Sequence, residues 1–186
     1  MTMKFDASLT YTSYEPHMHK AKTERQRKQL ATVVAHAKGE VRGDLGPVLD
    51  SLCEDPQYHE YGVFADVAGD TGPKGWDAVK KNYEEMVETG SYVIESIKDR
   101  LIIDDEEIVT DGRYRQILPA AVAKSMGYVA KDDDRSRHYM LSGITVVFWK
   151  FDADGKALGE DRYVLDKSIE PLTPEDLPDD YPETLR

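Results

Sequence analysis

The sequence predicts an α+β fold: helices first, then a long curved antiparallel sheet. Three observations predict it. Apolar residues recur at helical spacing in two stretches before residue 90. From Tyr92 the spacing changes to that of strands. The later strands are joined largely by tight polar turns. Helices segregated ahead of an antiparallel meander are the α+β signature, and a long antiparallel sheet must twist and curl. With helices laid across its concave side, the sheet becomes a cone with an apolar interior, a natural small-molecule site.

The elements follow in order. Residues 1–20 lack clear periodicity and read as an arm that packs on a neighbour. Thr23 and Gln26 form a capping-box signal. Leu30, Val33, Val34, Ala37 and Val41 then give a helix over 23–42, ended by Gly43. Asp44 is an N-cap for a short helix carrying Val48, Leu49 and Leu52, with Pro47 tolerated in its first turn. Asp55-Pro56 stops it, and 57–64 reads as a short strand before a Gly-containing loop over 65–73. A third helix starts near Lys74, with Trp76, Val79, Tyr83, Met86 and Val87 as its apolar stripe and Gly90 just past its end. Strands are expected over 92–103, 108–118, 138–151 and 157–169. The segment 119–137 is an insertion with a helical turn at 120–126 and a charged tip. Asp152-Ala153-Asp154-Gly155-Lys156 is a hairpin loop. Four of the nine prolines and five acids fall in 171–186, an extended tail. The expected organisation is an arm (1–20), one domain (21–170) and a tail (171–186).

Of 186 residues, 24 are Lys or Arg and 36 are Asp or Glu, a net charge of −12. Hydrophobic residues make up 40 %, enough for a core, which argues against global disorder. The acidic balance argues against nucleic acid or an anionic membrane as the main partner, because phosphate binding needs clustered Lys and Arg. No stretch approaches the ~20 apolar residues that span a bilayer. The N-terminus has no apolar signal core. Cys53 is alone, so no intrachain disulfide forms and the reducing cytoplasm is the expected compartment. Eleven tyrosines against four phenylalanines and two tryptophans suit a pocket with polar tips.

Several local features carry a resemblance. Gly43-Asp44 opens the second helix, and Asp55-Pro56 with Tyr58 leads into the first strand. Gly75-Trp76-Asp77-Ala78-Val79 with Tyr83 opens the third helix. Phe151 through Lys156, then Gly159-Glu160-Asp161-Arg162-Tyr163, form the final hairpin. In this order they resemble the nuclear transport factor 2-like superfamily, over about residues 23–171. Its members include SnoaL-like cyclases, scytalone dehydratase, steroid Δ-isomerase and limonene epoxide hydrolase. The resemblance implies a cystatin-like cone with a cavity, and it implies fold far better than reaction. In layout and length the chain is also similar to cofactor-independent diarylpropane lyases, which release formaldehyde from lignin-derived diaryl diols to give stilbenes.

No nucleotide or phosphate-loop motif is present, and no cofactor is expected. His17 and His19 have metal-ligand spacing but lack a third ligand nearby, so no metal site is expected. Asp152, Asp154 and Gly155 are better explained by a turn than by a calcium loop. Chemistry therefore falls to Tyr, His, Asp, Lys and Arg. Tyr58, His59 and Tyr61 lie on the first strand, with 59 and 61 on one face and 58 on the other. By the resemblance, polar residues here reach the cavity. Arg115 is the better of two arginines to enter it. His138 begins the most strand-like run and titrates near neutrality. On the last strand Asp161, Tyr163 and Lys167 share one face, while Glu160, Arg162 and Asp166 share the other. The resemblance places a working carboxylate on a late strand, at Asp161 or Asp166, with Lys167 as an electrostatic partner. Trp76, Tyr83, Met86, Tyr61 and Tyr139 are binding candidates.

The expected function is a cofactor-independent lyase. Tyr58 or His59 is the acid, Asp166 or Asp161 the base, and Arg115 or Lys167 stabilises charge on a small aromatic substrate. In the narrow form a diaryl diol loses formaldehyde. The alternatives are a dehydratase, isomerase or cyclase on a polycyclic or terpenoid substrate, and a non-catalytic small-molecule or protein binding module. The apolar run 144–149 fits a buried homo-oligomer interface.

Overall fold

The computed structural model describes residues 4–185. The first three residues of the expected arm and the last residue of the expected tail lie outside them. In chain order the helices are α1 (Leu9–Thr12), α2 (Glu24–Glu40), α3 (Leu45–Asp50), α4 (Trp76–Thr89) and α5 (Ala120–Ser125). The strands are β1 (His59–Tyr61), β2 (Ile94–Ile103), β3 (Glu107–Pro119), β4 (His138–Phe151) and β5 (Ala157–Leu172).

Local chemistry explains the helix ends. The Thr23 hydroxyl accepts from the Gln26 backbone N–H at 3.1 Å, and the Gln26 side chain accepts from the Thr23 N–H at 3.3 Å. A cap of this kind contributes about 1 kcal/mol. Asp44 caps α3 by accepting from the Gly46 N–H. Gly90 ends α4 in the left-handed region at φ 76°, where a side chain would be strained. Leu30, Val33 and Ala37 on α2 and Val79 and Tyr83 on α4 are buried against Ile108, Val147, Trp149 and Phe151 of the sheet.

The sheet has the order β1-β5-β4-β3-β2. Its four long strands pair antiparallel. Beta1 is shorter than its sequence suggests and pairs parallel with β5, Tyr61 opposite Tyr163, so the sheet is mixed rather than antiparallel throughout. Gly62, at φ 73°, turns the chain away after three residues of pairing. Register shifts interrupt β2 between Lys98 and Arg100 and the β4–β5 pairing between Ser142 and Ile144. Bulges of this kind increase local twist and curl the sheet.

The arm folds back on its own chain. Alpha1 and a 3-10 segment, Glu15–Lys20, lie along the free edge of β2. The Thr10 hydroxyl donates to the Ile94 carbonyl and accepts from the Ser96 N–H, both at 3.0 Å. Ser13 accepts from the Lys98 N–H at 3.1 Å. The tail is also more than an extension. Leu177 and Tyr181 are buried with Phe5, Val93 and Ile117 on the convex side of β2 and β3. Ile144, Tyr163 and Leu165 remain exposed on the rest of that side. Among the described residues no helix is long and apolar enough to cross a membrane.

Candidate active site

Two neighbouring hollows with shared wall residues occupy the concave side. The inner chamber, about 50 Å³, lies between α2 and the middle of the sheet. His36 and Glu40 enter it from α2, Lys98 from β2, Tyr114 from β3, Glu160 and Arg162 from β5, and Thr10 and Tyr14 from the arm. The outer vestibule, about 250 Å³, is walled by Val63, Phe64, Met86, Val122, Met126 and Leu141. Tyr114 and Arg162 line both and mark the neck, the boundary where the two hollows meet.

Alternation along β5 builds the charged centre. Glu160 and Arg162 point inward, so Asp161 and Tyr163 point outward. Arg162 Nη2 donates to Glu60 Oε1 at 2.5 Å, and Glu60 comes from the inward face of β1. The side chains are only 18 % and 9 % exposed, so the pair is nearly dry. Arg162 Nε stands 4.0 Å from Glu160 Oε1 and is buried with no hydrogen-bond partner among the described residues. It is a donor without an acceptor in the wall of the hollow.

The centre holds three carboxyls, Glu40, Glu60 and Glu160, against two cations, Lys98 and Arg162. Desolvation disfavours the extra negative charge. Burial pushes Glu160 up to about 8, against the pull of Arg162 and with help from Glu40 and Glu60. Burial raises Glu40 as well. Burial lowers Lys98 to about 8, and Glu40 and Glu160 oppose the shift. Burial also works against the charge on Arg162, yet Glu60 and Glu160 hold it well above its ordinary value. At neutral pH the centre therefore keeps a proton on Glu160.

A polar chain runs beside the chamber. Tyr58 and Tyr83 hydroxyls are 3.0 Å apart, Tyr83 meets His36 Nε2 at 2.9 Å, and His36 Nδ1 meets the Ser51 hydroxyl at 2.8 Å. Ser51 donates onward to the Val48 carbonyl at 2.6 Å. That last bond fixes the direction of the rest. Ser51 must accept from His36 Nδ1–H, His36 Nε2 must accept from Tyr83, and Tyr83 must accept from Tyr58. Burial pushes His36 down to about 4, so it stays neutral and keeps this tautomer. Burial also holds both phenols well above 10, so they remain donors.

The sequence candidates divide by face. Tyr58 and Tyr83 belong to this chain, and Met86 lines the vestibule. His59 lies on the outward face, where Asp70 takes its Nδ1 at 2.7 Å. Tyr61 stacks on Tyr163 outside, ring centroids 4.8 Å apart. Asp161 pairs with Lys150 at 3.0 Å on the same outer face. Arg115 grips Glu95 on the convex side, under Phe5. The His138 ring bonds the Leu185 carbonyl of the tail at 2.8 Å. Tyr139 is buried but donates to Asp133. Trp76 sits partly exposed at the start of α4. Asp166 occupies the β5 bulge at φ 48°, exposed. Lys167, just past it, holds the loop after β1 through the Gly62 carbonyl at 2.8 Å. These residues correct the sequence expectation: none of His59, Tyr61, Arg115, His138, Asp161, Asp166 or Lys167 lines the inner chamber or the vestibule. His17 and His19 bond backbone carbonyls of Lys98 and Pro16.

The residues not chosen are Glu40, Glu60, Lys98, Tyr14, Tyr114, His36, Glu160 and Arg162. The signal for three of them was strand alternation, and for two more it was helix spacing. Glu60 shares a strand face with Tyr58, and Glu160 shares one with Arg162. His36 and Glu40 are four apart on α2 and share a helix face.

No family model and no curated protein sequence matches the chain. Solved structures do match it in shape. A protein of Mycobacterium tuberculosis, RV0760c, superposes with a TM-score of 0.57 at 11 % identity, over 78 % of this chain and 98 % of that one. A Delta 5-3-ketosteroid isomerase from Mycobacterium sp. gives 0.56 at 12 %, over 77 % and 98 %. SalBIII, an epoxide hydrolase/cyclase-like enzyme in pyran ring formation, gives 0.55 at 11 %, over 77 % and 97 %. With helices over the concave side of a curled five-stranded sheet, the chain has the nuclear transport factor 2-like fold.

Proposed function

We propose that the chain is a cofactor-independent enzyme that moves protons on a small, largely apolar molecule, by elimination or isomerisation. The observation that carries this reading is the buried Glu160 carboxyl 4.0 Å from an arginine N–H that has no hydrogen-bond partner among the described residues, with burial raising the carboxyl's pKa to about 8. A general acid needs a pKa close to the working pH. An unpartnered, buried donor such as Arg162 Nε suits the negative charge that develops on a reacting oxygen. The substrate body rests among Val63, Phe64, Met86, Val122, Met126 and Leu141, with its polar end at the neck. Glu160 gives up its proton there and, as the carboxylate, takes one back. That cycle alone serves isomerisation. With Glu40 on the facing helix as second carboxyl, the pair serves elimination. The match in shape to an isomerase and to an epoxide hydrolase/cyclase-like enzyme supports a fold that hosts such chemistry.

The test offers wild type and Glu160→Gln three probes: a diarylpropane diol, a hydroxylated dihydronaphthalenone and a β,γ-unsaturated steroid ketone. Product mass reads the class. It is unchanged for isomerisation, lower by water for dehydration, and lower by formaldehyde and water together, leaving a stilbene, for the diol. Turnover of one probe with a loss of about 10²–10⁴-fold in Glu160→Gln supports the reading. Bound probes without turnover would favour a binding module, and equal rates in both proteins would reject Glu160 as the acid.

A further inference from the structure

We propose that Lys98 is a covalent site: its amine forms an imine with a small aldehyde or ketone at the inner end of the chamber. The proton-transfer reading does not use this group, and the placement of Lys98 differs from that of paired lysines at the surface. Lys150 lies 3.0 Å from Asp161, and Lys74 lies 2.9 Å from Asp70. The Lys98 amine has no carboxylate oxygen at such a distance among the described residues. It donates instead to two neutral acceptors of one residue, the Ser96 hydroxyl at 2.7 Å and the Ser96 carbonyl at 3.1 Å. The Tyr14 ring covers it, with its centroid 5.3 Å away.

Several groups face the amine across the chamber. They are Glu40 and His36 from α2, Glu160 and Arg162 from β5, Tyr114 from β3 and Tyr14 from the arm. Arg162 is committed to Glu60, and His36 is neutral. Glu40 and Glu160 act on Lys98 through space. A lysine held out of water without an ion-pair partner gives up its proton more readily than a surface lysine, and the free amine is the nucleophile. The carboxyls nearby can carry the protons that imine formation requires.

The step balances without an oxidant or a metal. The Nζ lone pair adds to the carbonyl carbon, and the carbon–oxygen π pair goes to oxygen. One proton passes from nitrogen to that oxygen by way of a chamber carboxyl, giving the carbinolamine. The nitrogen lone pair then expels the hydroxyl, which takes a proton from the carboxyl and leaves as water. The iminium returns its proton to the carboxylate. The net change is one amine and one carbonyl giving one imine and one water.

The experiment uses acetaldehyde as probe, with sodium cyanoborohydride to reduce any imine to a stable ethylamine, followed by peptide mass mapping. The expected result is ethylation of Lys98 at least about ten-fold ahead of any surface lysine at pH 8, because surface amines are almost wholly protonated there. The Lys98 rate should rise with pH and level off above about 8, while surface lysines keep rising. Lys98→Arg should leave that peptide unlabelled and the others unchanged. Lys98 labelled no faster than the surface lysines overturns the proposal. The wild-type map decides this even where the variant fails to fold. Selective labelling without turnover of the three probes would leave the imine site standing and sink only the proton-transfer reading; turnover without selective labelling would do the reverse.

Discussion

Glu160→Gln should alter how stability depends on pH, whatever the substrate proves to be. In the folded chain burial raises the Glu160 pKa to about 8 from an ordinary value of 4.5. Between those values the folded state holds a proton that the unfolded chain has released. Stability is therefore fully present below about 4.5 and falls as pH rises through 8. At 1.36 kcal/mol for each pH unit, that rise sets a ceiling of about 5 kcal/mol. The side chain is only 12 % exposed, so solvent screens little of it. His36, with its pKa lowered to about 4, contributes the opposite slope up to about 6.5, and Lys98 does so from about 8 to 10.5. Both remain in the variant, so their slopes largely cancel in the comparison, apart from the pull that Glu160 itself exerts on Lys98. Urea unfolding followed by tryptophan fluorescence at pH 5 and pH 8 is the assay. Wild type should lose about 3–4 kcal/mol relative to Glu160→Gln between the two, at unchanged m. Parallel pH profiles for the two proteins would refute the assignment of a buried, protonated Glu160.

Two further substitutions test the scaffold. Tyr83→Phe removes the donor to His36 Nε2 and the acceptor for Tyr58 together. It should cost about 1–3 kcal/mol in urea unfolding, and more than Tyr58→Phe, which removes only the first donor of the chain. Thr10→Val removes the hydroxyl that bridges the Ile94 carbonyl and the Ser96 N–H. Amide hydrogen exchange at Ser96 should accelerate, by roughly ten-fold for each 1.4 kcal/mol of local protection lost, with little change at buried β4 amides such as Val147.

Much of the fold was legible because its signals are local. Gly90 marks the end of α4, and His138–Phe151 is the observed span of β4. The arm and tail were not legible, because their order comes from distant partners: Thr10 from β2, and Leu177 from Phe5 and Ile117. In the site, alternation divided β5 correctly into Glu160 with Arg162 and Asp161 with Tyr163. It could not say which pair faces inward, because both carry charge. Beta4 gave no help, since Ile144, Val146 and Phe148 outside are as apolar as Val147 and Trp149 inside. Beyond residue 165 the bulge at Asp166 breaks the count of two, which is why Lys167 does not follow Asp161.

The hydroxyls laid along β2 have a consequence for colloidal behaviour. An open sheet has two borders where another chain can add as an extra strand and seed a growing polymer. Beta1 closes one border with a stub of three residues. On the other, Thr10 and Ser13 occupy the Ser96 and Lys98 amides that an incoming strand would need. Trimming the arm would uncover that border, and thioflavin T fluorescence should then rise faster for the shortened chain than for the intact one.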